Sequence, residues 1–283
     1  MTVILDGKKL RDELLDGLKG KLSYYVNAPK LVVILVGDNP ASKIYVNNKK
    51  KTAEKLGINS VILNYPSDIS EEELVRKINE LNQDKSVNAI LVQLPLPEHI
   101  NKNTIINAIS PVKDVDGFTP ENSGKLLAGE TPYVYPCTPK GILLLLDKYG
   151  IEIEGKHVVI VGRSNIVGKP LAVMMLNRNA TVTVCHSRTK NLSEITKSAD
   201  ILISAVGRNI ISADMVSGGT VVIDVGIYKD ENGKTRGDVD FENVATKASY
   251  ISPVPGGVGP MTIASLMLNT VELFDFQNKR SCD

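Results

Sequence analysis

The chain has 283 residues, of which 42% are hydrophobic, enough for a full α/β core or for two modest domains. Its 33 basic residues nearly balance its 32 acidic ones, which excludes a broad basic surface for nucleic acid or an anionic membrane and favours a small-molecule partner. No apolar run approaches the length of a membrane span, and the first residues have too short an apolar stretch for a signal peptide, so we expect a cytoplasmic protein.

Apolar strands alternate with helical patterns in the first third of the chain. We predict a helix from about Gly7 to Tyr24, and a later helix that Asn39 caps and Gly57 ends. Ser70 with Glu73 forms a capping box for a further helix. The intervening strands are predicted at residues 31–36, 61–64 and 89–93. This alternation favours a parallel sheet.

A second alternation follows a nearly all-apolar helix, Pro139 to Tyr149, which we interpret as a buried connection between two lobes. Strands are predicted at residues 157–161, 181–185, 201–206 and 221–225. The last helix, predicted from Met261 to Phe276, carries too much apolar surface to lie in water, so we expect it to pack on the first lobe.

These patterns predict an α/β protein of two α/β lobes, the second a Rossmann-type parallel sheet, with the active-site cleft between the lobes. The predicted first domain comprises residues 1–138 plus 261–283, and the second comprises residues 139–260.

A strand, a glycine turn and a helix start follow one another at residues 158–170. Gly162 allows the backbone to approach a phosphate closely, and the N-terminus of the next helix offers free N–H groups. The match to G-x-G-x-x-G is imperfect, because Ser164 stands at the second glycine and Gly168 comes one residue late. On these residues alone, a purely structural glycine turn is equally consistent with the pattern.

The end of the following strand distinguishes between nicotinamide cofactors. An NAD site usually has an acid about 20 residues beyond the turn to hold the ribose 2′-hydroxyl, whereas residues 185–189 contain none. Ser187, Arg188 and Arg163 can instead donate to a 2′-phosphate, which favours NADP. The alternative for Arg188 and Lys190 is a solvated basic loop.

Ser42, Tyr45 and Lys49 fall at i, i+3 and i+7 of the second helix, so they share one face. A ring and an amine can therefore point into one cleft. Because Lys49 belongs to the triplet that ends at Lys51, a solvated helix surface is the alternative. Gln93 ends a strand before a proline-rich turn, which places its amide at the functional edge of the sheet.

Two loops complete the set of candidates. The loop at residues 113–118 offers Asp114 and Asp116 to a cationic or amidine-like substrate edge, with a turn-capping aspartate as the alternative. The segment at residues 253–262 holds three prolines and three glycines, which indicates a loop that closes on a ligand. Ile227 is expected near the carboxyl edge of the second sheet, where a nicotinamide would lie.

The three cysteines, Cys137, Cys185 and Cys282, are scattered and form no C-x-x-C pair, which predicts ordinary reduced thiols. The histidines likewise lack metal-ligand spacing, so we expect no metal.

Taken together, these motifs resemble the bifunctional methylenetetrahydrofolate dehydrogenase/methenyltetrahydrofolate cyclohydrolase family over nearly the whole chain. The marks of the resemblance are Tyr45-Val46-Asn47-Asn48-Lys49, Val92-Gln93-Leu94-Pro95, Lys113-Asp114-Val115-Asp116-Gly117, Pro136-Cys137-Thr138-Pro139, Gly162-Arg163-Ser164 through Gly168, and Pro253 to Thr262.

The resemblance implies oxidation of 5,10-methylenetetrahydrofolate by NADP, followed by hydrolysis of the methenyl product to 10-formyltetrahydrofolate, a reaction of one-carbon metabolism. Lys49 would then be the general acid/base, Gln93 would position it, Tyr45 would stack on the folate ring system, and Asp116 would hold the donor edge of the pterin. The family also suggests a homodimer.

By the same resemblance, further residues would contact the two ligands. The residues implied for NADP are Gly162, Arg163, Ser164, Ser187, Arg188 and Ile227, and those implied for the substrate loop are Pro255, Gly256, Gly257, Val258 and Gly259.

Three rival interpretations predict fewer or other functions. A monofunctional dehydrogenase has no need of Lys49, Gln93 and Asp116 together. A noncatalytic NADP-binding protein would keep only the turn at Gly162, and a shikimate-type dehydrogenase would lack the element from Tyr45 to Lys49.

Overall fold

The computed structural model describes residues 1–280, and the chain forms two compact units. One comprises Leu14–Cys137 and the chain from Ser265 onward, and the other comprises Met1–Glu13 and Thr138–Ala264. We name them the three-stranded unit and the six-stranded unit after their main sheets.

In the three-stranded unit all strand pairs are parallel, in the order β3-β2-β4. Its elements are β2 (Lys30–Val36), α2 (Pro40–Leu56), β3 (Asn59–Tyr65), α3 (Glu71–Gln83), β4 (Ala89–Val92), α4 (Lys102–Ala108) and α5 (Pro120–Leu127). Two long helices, α1 (Gly7–Leu22) and α10 (Val258–Arg280), have residues in both units.

Local side-chain signals determine where the helices of this unit begin and end. The Asn39 side chain accepts a hydrogen bond from Ser42 N at 3.1 Å, and Gly57 ends α2 in the left-handed conformation. The Ser70 hydroxyl accepts from Glu73 N at 3.1 Å at the start of α3. The predicted caps of both helices are thereby confirmed.

The two faces of the three-stranded sheet bury alternate residues of β2, as the period of two of a strand requires. Leu31, Val33 and Leu35 pack in one cluster with Leu266 and Met267 of α10. The cluster on the other face contains Val32, Ile34 and Val36 of β2 with Leu74 and Ile78 of α3. The prediction that the last helix packs on the first lobe is confirmed by the first cluster.

The main sheet of the six-stranded unit is also entirely parallel, in the order β1-β11-β8-β7-β5-β6. Its strands are β1 (Val3–Ile4), β5 (His157–Val161), β6 (Thr181–Cys185), β7 (Ile201–Ser204), β8 (Val221–Asp224) and β11 (Tyr250–Ile251). The other elements are α6 (Cys137–Lys148), α7 (Gly168–Leu176), α8 (Leu192–Lys197), a 3₁₀ turn (Ala213–Met215), the small hairpin of β9 (Tyr228–Lys229) and β10 (Thr235–Arg236), and α9 (Phe241–Val244).

The pairing of β1 with β11 explains why residues 1–13 cluster with the second half of the chain, whereas the sequence analysis assigned them to the first domain. Val3 N donates to Ser249 O and Leu5 N donates to Ile251 O, both at 2.9 Å. The sequence carried no signal for this pairing, because a strand of two residues has no readable periodicity.

Several predicted boundaries differ from the structure, and two of them have a local physical reason. Strand β7 ends at Ser204 rather than at residue 206, because Val206 N donates to the carboxylate of Asp238 instead of to a neighbouring strand. Helix α10 begins at Val258 rather than at Met261, since a proline at position 260 is tolerated in the first turn.

Cys137 and Cys185 are buried thiols, and Cys282 lies outside the described residues. None of the helices in residues 1–280 combines the length and the apolarity needed to span a bilayer.

Candidate functional sites

The carboxyl edge of the three-stranded sheet gathers the candidate residues of the first half of the chain. Gln93 directly follows β4, and its N–H donates to Ile34 O of β2 at 2.9 Å. The segment around Asp114 runs parallel beside β4, since Ile90 N donates to Lys113 O at 2.7 Å. Because parallel strands end at the same edge, Gln93 and Asp116 are brought to one side of the sheet.

Lys49 is half-buried and turns toward this edge. Its ammonium group donates to Gln93 Oε1 at 3.0 Å, and the amide of Gln93 is oriented by a second bond from Nε2 to Leu94 O at 2.7 Å. The two lysines that follow have other surroundings. The Nζ atom of Lys50 lies 3.7 Å from Oε1 of Glu54, and Lys51 is exposed. The solvated-surface alternative therefore describes Lys51 and not Lys49.

The two aspartates of the loop have different surroundings. Asp114 is buried, and its carboxylate accepts from Gly117 N at 3.0 Å, Thr119 N at 2.7 Å and the Asn122 amide at 3.1 Å. It caps the turn, as the alternative interpretation stated. The acceptor positions of its carboxylate are occupied within the protein, so Asp116 is the better candidate for a ligand.

The carboxylate of Asp116 interacts electrostatically with the ammonium group of Lys49. Burial raises the pKa of the Asp116 carboxyl, the positive charge of Lys49 opposes this rise, and the negative charge of Asp114 adds to it. A half-buried carboxylate beside an amine can accept hydrogen bonds from the polar edge of a planar heterocycle.

Tyr45 lies one turn before Lys49 on α2 and is 47% exposed. Ser42, the third residue of the predicted face, is buried. The exposed ring of Tyr45 is available for stacking, whereas the hydroxyl of Ser42 is largely inaccessible to a ligand.

The glycine turn of the six-stranded unit lies where the strand order reverses, since β5 pairs with β6 on one side and with β7 on the other. Gly162 has a φ of +129°, and a Cβ there would overlap the carbonyl oxygen of Ala205. A Cβ at Gly168 would overlap the carbonyl oxygen of Gly162. Gly168 thus allows close packing of helix and strand, although it comes one residue later than in the usual motif.

Ser164 serves the start of α7 itself. Its hydroxyl accepts from Val167 N at 3.1 Å and from Gly168 N at 3.4 Å, while Arg163 beside it is exposed. The helix therefore begins at the turn with its N-terminal N–H groups and positive dipole end directed to the sheet edge, an arrangement that suits a diphosphate.

The loop after β6 lies next to this turn, because Gly162 N donates to Cys185 O at 2.9 Å. Thr189 holds the loop by two bonds of 2.8 Å to the backbone of His186. Ser187 and Arg188 between them are exposed and can reach a ligand.

The proline- and glycine-rich segment is shaped by close backbone contacts. Gly257 N donates to Pro253 O at 2.8 Å, and a Cβ at Gly7 would overlap the carbonyl oxygen of Gly257. Pro255 and Gly259 are exposed, whereas Gly257 and Val258 are buried. The buried positions can therefore offer a ligand little more than backbone atoms.

Ile227 follows β8 and lies beside this segment. Ile227 is 49% exposed, and a Cβ at Gly259 would lie 3.8 Å from its Cδ1 atom. An exposed apolar side chain at the carboxyl end of a central strand provides a surface for an aromatic ring.

Two buried carboxylates at the carboxyl edge of the six-stranded sheet, Asp224 and Asp238, were not among the candidates predicted from the sequence. Asp224 ends β8, and Asp238 accepts from Ser204 at the end of β7. A buried acid after an apolar strand was the available signal, but a single aspartate in that position also fits an ordinary turn.

Among the described residues no group of three His, Cys, Asp or Glu side chains could hold a metal ion.

Comparison with known proteins adds to these observations. The family model described as "Tetrahydrofolate dehydrogenase/cyclohydrolase, catalytic domain" matches residues 5–116, and the corresponding NAD(P)-binding domain model matches residues 136–278. The bifunctional protein FolD of Pediococcus pentosaceus is 56% identical over 278 residues, which cover 96% of this chain and 98% of that protein.

Two solved structures are similar along almost the full length. The bifunctional FolD enzyme of Campylobacter jejuni is 50% identical with a TM-score of 0.95, covering 99% of this chain and 100% of that one. The Trypanosoma brucei methylenetetrahydrofolate dehydrogenase-cyclohydrolase, solved with NADP and an inhibitor, is 36% identical with a TM-score of 0.93, covering 97% and 98%.

Proposed function

Because this chain belongs to the tetrahydrofolate dehydrogenase/cyclohydrolase family, we propose that the contacts around Lys49 and the turn at Gly162 carry the two activities of that family. The enzyme oxidises 5,10-methylenetetrahydrofolate with NADP and hydrolyses the methenyl product to 10-formyltetrahydrofolate. The observation that carries the assignment of residues is the hydrogen bond from Lys49 to Gln93 beside Asp116.

The residues of the six-stranded unit fit a dinucleotide. Gly162 and Gly168 lack the Cβ atoms that would clash with backbone, and the N-terminus of α7 offers N–H groups to the diphosphate. Ser187 and Arg188 supply the 2′-phosphate with a hydroxyl and a guanidinium, and Arg163 adds a second guanidinium. When bound, NADP accepts the hydride that leaves the methylene carbon of the substrate.

Orientation is the main requirement of the oxidation. The lone pair of the adjacent folate nitrogen assists departure of the hydride, so no protein nucleophile is needed. Tyr45 stacks on the ring system of the folate, and Asp116 accepts from the donor edge of the pterin. In the six-stranded unit, Ile227 offers its exposed apolar side chain to the nicotinamide ring.

Hydrolysis requires proton transfer, for which Lys49 is the candidate. The cationic methenyl substrate disfavours the ammonium form beside it, so the amine can take a proton from the attacking water. Lys49 then returns the proton to the ring nitrogen whose bond to the same carbon breaks, and the hydroxyl on that carbon releases its own proton to solvent as the formyl C=O forms. Gln93 holds the amine in position through its oriented amide.

One assay tests both activities. The purified protein is incubated with methylenetetrahydrofolate and NADP, and absorbance follows the formation and decay of the methenyl compound. We expect NADP-dependent formation followed by decay faster than in buffer. Accumulation without accelerated decay would contradict the cyclohydrolase activity, and no formation would contradict both.

The family also supports a homodimer, and β6 forms an edge of the six-stranded sheet with Val184 exposed. Light scattering coupled to size exclusion should give twice the mass of one chain. A mass of one chain across micromolar concentrations would contradict the proposal.

A cytoplasmic location is supported by the composition and by the class of substrate. Cell fractionation should recover the protein with cytoplasmic markers, and recovery with membranes would contradict it.

A further inference from the structure

Two carboxylates with no role in the proposed chemistry are buried at the cofactor edge of the six-stranded sheet. Asp238 is 0% exposed and Asp224 is 3% exposed. Burying an ionisable carboxyl costs free energy unless hydrogen bonds compensate for the lost water, so the bonds that surround this pair indicate what it does.

Asp238 holds the loop after β7. Its Oδ2 accepts from Ser204 Oγ at 2.8 Å and from Val206 N at 2.7 Å, and its Oδ1 accepts from Arg208 N at 2.8 Å. All three donors lie at the carboxyl end of β7, the strand beside the glycine turn, where Ala205 approaches Gly162 closely.

Asp224 holds the loop after β8 and also holds Asp238. Its Oδ1 accepts from Gly226 N at 3.0 Å, one residue before Ile227, and from Asp238 N at 2.9 Å. Its Oδ2 accepts from Val239 N at 3.0 Å. The two acids therefore form a chain of bonds from β8 through residues 238–239 to β7.

A side chain with acceptor atoms and no donor is needed to accept from all of these donors. A carboxylate offers acceptor positions on both oxygens, whereas an asparagine would turn an NH₂ group toward an N–H donor. Close packing enforces the arrangement, since a Cβ at Gly226 would overlap the Asp238 carboxylate and a Cβ at Gly237 would overlap that of Asp224.

We propose that Asp224 and Asp238 are positioning residues for NADP, which set the backbone of residues 206–208 and 226–227 at the edge where the cofactor binds. This inference rests on the proposed placement of NADP at the carboxyl ends of β5 and β7, the reversal point of the strand order. Neither carboxylate contacts the reacting atoms. Each acts through the loops that it holds.

The test is calorimetric titration of NADP into the full-length Asp238→Asn variant, with Asp240→Asn as the matched control. The control makes the same change of charge two residues away, where the carboxylate accepts from the Asn243 side chain at 2.6 Å. We expect the Kd for NADP to rise about tenfold in Asp238→Asn, as the loss of a buried hydrogen bond predicts, and to stay unchanged in the control.

Hydrolysis of the methenyl compound without NADP is the second readout. It should stay within about twofold of wild type in Asp238→Asn, because neither Asp238 nor its donors Ser204, Val206 and Arg208 belong to the residues proposed for hydrolysis. An unchanged Kd overturns the inference, and so does an equal loss of NADP binding and hydrolysis, which indicates a merely structural role.

Ser204→Ala covers the case in which Asp238→Asn fails to fold. It removes one donor to Asp238, and we expect a rise in Kd of about threefold; no change overturns the inference. A Ser187→Ala/Arg188→Ala double variant separates the two levels. If the double variant raises the Kd for NADP while Asp238→Asn and Ser204→Ala do not, the positioning role is wrong but the placement of NADP stands. If none of the three variants raises the Kd, the placement of NADP is wrong as well.

Discussion

At the scale of single residues, Lys49 differs from Lys50 and Lys51 in what its ammonium group contacts. Lys49 donates to Gln93, whereas Lys50 lies near Glu54 on the surface. The chemical identity of a lysine therefore says little about its role. The length of the side chain and the direction in which the helix presents it decide whether it reaches the sheet edge.

Lys49→Ala should abolish hydrolysis of the methenyl compound. Loss of a general acid/base lowers the rate by about 10²- to 10⁴-fold, while the Kd for NADP should stay close to wild type. Stopped-flow absorbance measures the first quantity and calorimetric titration the second. Lys51→Ala is the matched control, because that side chain is exposed on the same helix; if Lys49→Ala retained full hydrolysis, its assigned role would be wrong.

Asp114 and Asp116 should respond differently to substitution. Asp114→Ala removes a carboxylate that accepts three buried hydrogen bonds, so we expect a loss of about 2–4 kcal/mol in the free energy of unfolding. Asp116→Asn should change this free energy by less than about 1 kcal/mol but raise the KM for the folate substrate at least about tenfold. Urea unfolding measures the free energy of unfolding, and initial rates measure the KM. A stability loss in Asp116→Asn together with a raised KM in Asp114→Ala would exchange the two roles.

At the scale of elements, the turn at Gly162 shows why the glycine pattern of the sequence was ambiguous. The serine at the second position caps α7 through its hydroxyl, and the glycine at position 168 packs against the turn although one extra residue precedes it. A sequence motif records only the spacing of residues along the chain, whereas the geometry of the turn depends on the backbone conformation of the residues between them.

The loop after β6 should determine which nicotinamide cofactor binds. Replacing Ser187 and Arg188 by Ala should remove the charge-assisted bonds that we propose to the 2′-phosphate, so the Kd for NADP should rise about 10- to 100-fold while that for NAD changes little. Calorimetric titration with each cofactor measures the difference. Lys190→Ala is the control from the same loop, and equal losses for NADP and NAD in the double variant would remove the 2′-phosphate argument.

At the scale of the whole molecule, buried acids couple stability to pH. Burial raises the pKa of Asp224 to about 6, while bonds from the N–H groups of Asp238 and Val239 oppose the rise. A pKa raised by folding means that the folded state holds its proton more tightly than the unfolded state. The stabilisation from this group is complete below the ordinary pKa and is lost as the pH rises through about 6.

The free energy of unfolding of the wild type should therefore fall by about 1 kcal/mol relative to Asp224→Asn between pH 5 and pH 7.5. Comparing the two proteins removes the contribution of their common titrating groups. Urea unfolding at the two pH values gives the difference. A difference that stays constant, or that changes in favour of the wild type, would contradict the raised pKa.

Much of the fold was readable from the sequence, because its signals are local. The caps at Asn39 and Ser70 and the strands at residues 157–161 and 181–185 appear as predicted. The candidate residues were also readable, since loops after buried strands can be located before the strands are paired. Their catalytic and binding roles stay proposals.

What the sequence determined by itself was the α/β class, the order of the seven longer strands along the chain, and the residue types offered at each sheet edge. Only the tertiary structure decided that residues 1–13 pair with β11, that Asp114 caps a turn while Asp116 does not, and that Asp224 and Asp238 link β8 to β7. Periodicity and capping act over a few residues, whereas these contacts join segments that are remote along the chain or depend on the full surroundings of a carboxylate.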